Sequence, residues 1–388
     1  MPNKLYFEKF RVFQVVVPAR EDILSAPVSK SAIYSGNLSW PELPIFLVEG
    51  VTNTGITAVG ETDRGTSQAT LEATLHDLLG RDLLAATPAT MWMSESDAVG
   101  LPSRYPYWSW EVRGERSYLL MESLWLDAVG KATGLPAHTL LGGAVRKVVP
   151  TDFWANRPSA AVMAKLIGEA QERGLRGIKM KSDGSGDTAR ALLEIAADVP
   201  AGFRVTIDPM TAWRSLRESA RWFDALAKLD CDIQIEDPFP HQAIEDWQRA
   251  RGYSPITIIC HPRGEANLRL ALREEMADGY NLGLGSTYNF LQMAHVIEAA
   301  DKDCWQGSSL ELGVGQHVRL HAAACARSCV LGSDMQSEWV REHTLITPRM
   351  AYADGGAIVP DRPGLGIELD RGAVSGYCQR EFDVMRNS

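Results

Sequence analysis

The chain has 388 residues, which is too long for one small core and predicts two domains or one large barrel with an appendage. Hydrophobic residues make up 45% and charged residues 23%, an ordinary balance for a globular enzyme, and a formal net charge of −10 argues against nucleic acid or an anionic membrane as the main partner. No apolar run approaches the roughly 20 residues that span a bilayer, and six scattered cysteines without a CxxC pair read as the reduced thiols of a cytoplasmic protein.

FRVFQVVVP and PIFLVEGVTNTGITAVGET predict strands, the second a hairpin closed near Asn53–Gly55. The Ser- and Pro-containing stretch between them, about 20–43, is long enough to act as a lid. Residues 66–135 read as mostly helical, interrupted by the aromatic-rich LPSRYPYWSW. The helical period of YLLMESLWLDAVGKATG stops at Gly134. From about residue 145, the short apolar runs GIKMK, FRVTID, CDIQIED, ITIICH, GYNLGLG and DCWQGSS alternate with amphipathic helices. That alternation predicts a parallel sheet.

The polar residue ending each run recurs regularly. Lys181 to Asp208 is 27 residues, Asp208 to Glu236 is 28, and Glu236 to His261 is 25. One strand–helix unit takes about 25–30 residues. Each unit therefore delivers one polar side chain to the C-terminal end of its strand, and in a parallel barrel those ends converge on one mouth. An open, doubly wound sheet is the alternative, but the Gly-rich phosphate turn that normally accompanies it is missing.

Lys179 and Lys181 are two apart, so both ammonium groups share one face of their strand. Two enclosed like charges depress each other's pKa, which predicts a neutral amine able to act as a base. Asp208 and Glu236 each follow an apolar run. They either pair with the lysines or hold a hard cation such as Mg²⁺, and spacing does not separate the two.

TNTGITAVGET, GLPAHTLLGG, IKMK, TIDPMTAW, IEDPFP and IVPDRPGLGIELD together resemble, in order, the signatures of the enolase superfamily, in its mandelate racemase and muconate lactonizing enzyme branch. The resemblance runs from about Val51 to Asp370. It implies an α/β fold: a modified (β/α)₇β TIM-type barrel over residues 136–355. An α+β capping domain would be built from residues 1–135 and the returning segment 356–388. It also implies divalent-metal-dependent abstraction of the proton α to a carboxylate. Lys181 matches the base and Lys179 its pKa-lowering, carboxylate-binding neighbour. Asp208 and Glu236 match two of three metal ligands. The third position falls at or next to His261, where relatives carry an acid or an amide. Imidazole suits Mn²⁺ or Zn²⁺ better than Mg²⁺. Three readings stay open there: His261 ligates an altered metal, Glu265 swings in to replace it, or the site is weakened and His261 meets substrate. Cys260 is expected to alternate outward and pack as a small apolar residue.

The far side of the barrel departs from the racemase pattern. Gly283 stands near the expected sixth-strand acid, and the seventh run has no histidine. Glu311 and, on the eighth strand, Glu338 are the candidate substrate-binding acids. His317 and His321 are four apart, but His321 fits an apolar helical stripe, so a metal role is not expected. Met210 stands where relatives often carry Asn. Only the lysine side keeps a clear base, which favours dehydration or cycloisomerisation of a small hydroxy or sugar acid. A racemase or epimerase, and a non-catalytic binding protein, are the alternatives. The resemblance further implies a homo-oligomer.

Overall fold

The computed structural model describes residues 4–24, 40–85, 87, 117–283 and 286–385. Most of the expected lid and all of LPSRYPYWSW lie outside the described residues. The strands β1 (Phe7–Val15), β2 (Ile45–Thr52) and β3 (Thr57–Glu61) form an antiparallel meander, and the C-terminal strand Cys378–Met385 pairs with the other edge of β1. The predicted hairpin between β2 and β3 turns through Gly55 at φ +81°. The sheet packs on the helix Tyr118–Thr133. Gly60 lets this helix approach, since a Cβ there would lie 2.7 Å from Leu124 and 2.8 Å from Leu120.

β4 (Val148–Pro150) joins a small three-stranded antiparallel sheet. Seven parallel strands then follow in chain order: β5 (Phe153–Ala155), β6 (Gly177–Lys181), β7 (Arg204–Asp208), β8 (Asp232–Glu236), β9 (Thr257–Cys260), β10 (Gly279–Leu282) and β11 (Asp303–Gln306). Each predicted apolar run supplies one of β6 to β11. Ile178, Met180, Val205, Ile207, Ile235 and Ile258 are fully buried, as strands covered on both faces require. The connecting helices turn Ala189, Leu192, Phe223, Phe290 and Ile297 onto this sheet.

The sheet closes on itself through residues 328–334. Cys329 bridges in parallel to Cys304 on one edge, and Ser333 bridges to Thr151 on the other. Asp334 N donates to Gln306 O at 2.9 Å, and Asp152 N donates to Ser333 O at 3.2 Å. This segment is the eighth stave, so the sheet is a barrel rather than an open doubly wound sheet.

Two buried carboxylates tie the N-terminal elements to the barrel. Glu61, at the end of β3, accepts from Leu312 N (2.6 Å) and Gly315 N (2.7 Å) at the start of the helix Gly313–Cys325. Glu122 accepts from Thr287 N and Oγ1, both at 2.9 Å, at the start of the helix Thr287–Ala299. Helix N-termini present unpaired N–H groups, so an acid suits both places. Burial nevertheless pushes Glu61 up to about 8 and Glu122 up to about 7, against the pull of those donors.

Candidate active site

β6 places Lys179 and Lys181 on one face, as the alternation predicts. Lys179 is buried, while the Lys181 side chain keeps 25% of its exposure. Lys181 pairs with Asp208 at the end of β7. Lys179 lies 2.7 Å from Glu236 Oε2 and 3.1 Å from Asp334 Oδ2, and its ammonium sits 4.9 Å from the centre of the Trp305 ring. Glu236 Oε1 accepts from Asn281 Nδ2 at 2.6 Å and lies 3.6 Å from His261 Nδ1. The ends of β6, β7, β8 and β9 therefore meet around two ammonium groups.

The expected mutual lowering of the lysine pKa values does not hold for Lys179. Burial does pull its pKa down, but Asp334, Glu236 and Asp208 more than offset this and hold it above the ordinary lysine value. Lys179 is a fixed cation. Asp208 is raised by burial and by Glu236 beside it, against both lysines. Burial lifts Asp334 to about 6 despite Lys179. Burial also holds His261 well below the usual histidine range, so its imidazole is neutral.

The eighth-stave acid is Asp334 rather than Glu338. Glu338 lies on the short helix Ser337–Val340, accepts from Met350 N at 3.0 Å and pairs with Arg349 at 3.0 Å. Glu311 is folded into its own loop, where it accepts from Ser309 N (2.9 Å), Gln316 Nε2 (3.1 Å) and Arg319 (3.4 Å). Both candidate acids thus have other partners. Glu265 opens the helix Glu265–Arg273 and faces Arg269 at 3.5 Å. His317 Nδ1 donates to Gly313 O, and His321 donates through Nε2 to Leu365 O while its Nδ1 accepts from His138 N. Those two rings serve the backbone, in line with the apolar stripe.

The wall across from the lysines is bare backbone at two positions. A Cβ on Gly283 would lie 2.8 Å from His261 Nε2, and one on Gly307 would lie 2.3 Å from Asn281 Oδ1 and 2.5 Å from Gly283 Cα. Next to Asp208, Met210 and Thr211 take φ values of +51° and +66°, which non-glycine residues adopt at a cost. The turn is held by Met210 N donating to Asp208 Oδ1 (2.8 Å) and by Thr211 N donating to Asp237 O (2.6 Å). Met210 is 55% exposed.

Asp208, Glu236 and His261 have the chemistry of a divalent-cation donor set, although their ligand atoms do not gather as tightly as those of Asp237, His241 and Cys260, the group among the described residues whose ligand atoms all lie within 4.8 Å of one another. Asp208 and Glu236 offer two buried carboxylates, whose charge matches a divalent ion. His261 offers a neutral imidazole. Asn281 Oδ1 is buried with no hydrogen-bond partner. Such a mixed oxygen and nitrogen set suits Mn²⁺ at least as well as Mg²⁺. Asn281 carries no signal of its own in the sequence, because Gly283 occupies the expected position two residues on.

A parallel barrel with paired lysines and acids at the C-terminal ends of its strands has the layout of a barrel enzyme's active site. The chain belongs to the enolase C-terminal domain-like family, whose model matches residues 162–373. It is 27% identical to a probable glucarate dehydratase of Streptomyces coelicolor, over 88% of this chain and 86% of that one. It is 26% identical to muconate cycloisomerase 1 of Rhodococcus opacus, over 65% of this chain and 69% of that one. The crystal structure of N-succinyl Arg/Lys racemase from Bacillus cereus superposes with a TM-score of 0.75 at 18% identity, covering 98% of this chain and 100% of that one. The fold is the modified (β/α)₇β barrel with an α+β cap. Among the described residues, no helix is long and apolar enough to cross a membrane.

Proposed function

We propose that the protein removes the proton α to the carboxylate of a small hydroxy or sugar acid, with a divalent metal, and completes a dehydration or a cycloisomerisation. The observation that carries this reading is one-sidedness. Lys181 stands partly exposed at the strand ends, while Gly283 and Gly307 occupy the facing wall. Lys181 takes the α proton. Lys179, held charged by three carboxylates, faces the negative charge that develops on the substrate carboxylate. Asp208, Glu236 and His261 would hold the cation, Mg²⁺ or Mn²⁺, with Asn281 beside them. When bound, that cation withdraws charge from the substrate carboxylate and makes the α proton more acidic. Racemisation needs a second base on the opposite face, and among the described residues the positions of Gly283 and Gly307 on that wall carry none. The names of the relatives, a dehydratase and a cycloisomerase among them, support this class of chemistry.

The test is incubation of the purified chain and Mn²⁺ with a panel of hydroxy and sugar acids, read by mass spectrometry for loss of water, by NMR for ring closure, which leaves mass unchanged, and by a parallel binding assay. Loss of water or ring closure in one acid, absent in Lys181→Ala, is expected. Tight binding of an acid bearing an α proton, without conversion under any divalent metal, would establish the binding-protein reading instead.

A further inference from the structure

We propose that Asp237, His241 and Cys260 form a second, buried metal site for a transition metal of borderline softness such as Zn²⁺, set behind the strand ends that carry Glu236 and His261.

Strand alternation creates the place. Glu236 ends β8 pointing inward, and Asp237 turns away with φ +44°. On β9, Cys260 points out where its neighbour His261 points in. His241, four residues beyond Asp237, returns to the same spot. All three side chains are buried, and one ligand atom from each lies within 4.8 Å of the others. A carboxylate oxygen, an imidazole nitrogen and a thiolate sulfur are the donors zinc takes. One carboxylate and one thiolate would offset a divalent ion's charge, with the Arg263 guanidinium 3.6 Å from Asp237 Oδ2 beside them.

The hydrogen bonds of His241 are the second observation. Asn267 Oδ1 accepts from Arg263 N at 2.8 Å, which identifies that atom as the amide oxygen. His241 Nδ1 lies 2.6 Å from the same oxygen and must donate to it. In a neutral ring, Nε2 then carries a lone pair, and it faces Asp237 Oδ1 at 3.2 Å. Two acceptors at that distance need a cation between them. A metal-bound histidine commonly gives its other N–H to a carbonyl, as His241 does to Asn267. Cys260 is the third donor within 4.8 Å, which a metal would use and a shared proton would not. The site also touches the first one: Asp237 Oδ1 accepts from His261 N at 2.8 Å, and Arg263 lies 3.6 Å from Oδ2.

The test uses the full chain and Co²⁺, which gives a near-ultraviolet charge-transfer band only with a thiolate ligand. The band is expected in the wild type and in Asp208→Asn, and is expected to vanish in Cys260→Ala. With Zn²⁺ in equilibrium dialysis, wild type should bind one equivalent more than Cys260→Ala. His241→Gln should lose the same equivalent, which covers the case in which the cysteine variant does not fold. Absence of a thiolate band, with equal zinc stoichiometry in wild type, Cys260→Ala and His241→Gln, would overturn the proposal. The shared cation would then be a proton on an imidazolium–carboxylate pair. Because Asp208→Asn removes only the first site, failure here leaves the proposed reaction untouched.

Discussion

Replacing Glu61 by Gln tests how the N-terminal elements are fastened to the barrel. Glu61 is fully buried and accepts from Leu312 N and Gly315 N. Its folded pKa is raised from 4.5 to about 8, chiefly by burial. A raised folded pKa means that the folded state keeps a proton the unfolded chain gives up. Its contribution is therefore fully present below pH 4.5 and is lost as pH rises through 8. Between these limits one such group costs about 1.4 kcal/mol of stability per pH unit. From pH 5.5 to 7.5 that is roughly 2.7 kcal/mol. Glutamine does not titrate, and its amide leaves one of the two N–H donors poorly met, at about 1–3 kcal/mol. Urea unfolding at several pH values should show Glu61→Gln less stable at pH 5.5, with the gap narrowing by about 2–3 kcal/mol at pH 7.5. Parallel pH profiles for wild type and Glu61→Gln would refute the reasoning, because they would mean that Glu61 is ionised throughout.

Lys179→Met leaves Glu236 and Asp334 buried without their shared ammonium. It should cost about 3–5 kcal/mol in urea unfolding at neutral pH, with part of the loss recovered when Asp334→Asn is added. Gly307→Ala drives a Cβ against Asn281 Oδ1 and the Gly283 backbone. It should cost about 1–3 kcal/mol and weaken Mn²⁺ binding in equilibrium dialysis, because Asn281 is pushed off Glu236. His261→Asn exchanges a nitrogen donor for oxygen, so the ratio of Mn²⁺ to Mg²⁺ affinity should fall. Unchanged affinities for both ions would remove His261 from the ligand set.

The barrel was legible because its strands announce themselves twice. GIKMK, FRVTID and CDIQIED are apolar runs that end in a charge, and those charges recur at the length of one strand–helix unit. The eighth stave was not legible. LGSDMQS carries no apolar β-branched run, and its place is set by bonds to Gln306 and Asp152 that no local pattern encodes. The pattern points instead to Glu338, which lies on the short helix Ser337–Val340. The sign of the Lys179 shift was missed for a similar reason. Sequence shows two like charges two residues apart, whereas the three carboxylates that dominate come from β7, β8 and the closing segment. Alternation correctly turned Cys260 outward, but the arrival of Asp237 and His241 beside it depends on how the loop after β8 folds back.

In the proposed reaction Lys181 takes a proton from the carbon next to a carboxylate. Deuterium incorporation at that carbon, in D₂O and under Mn²⁺, tests it most directly when wild type is set against Lys181→Ala with an acid both are shown to bind. Exchange is expected in wild type and none above background in Lys181→Ala. Undiminished exchange in Lys181→Ala would contradict it.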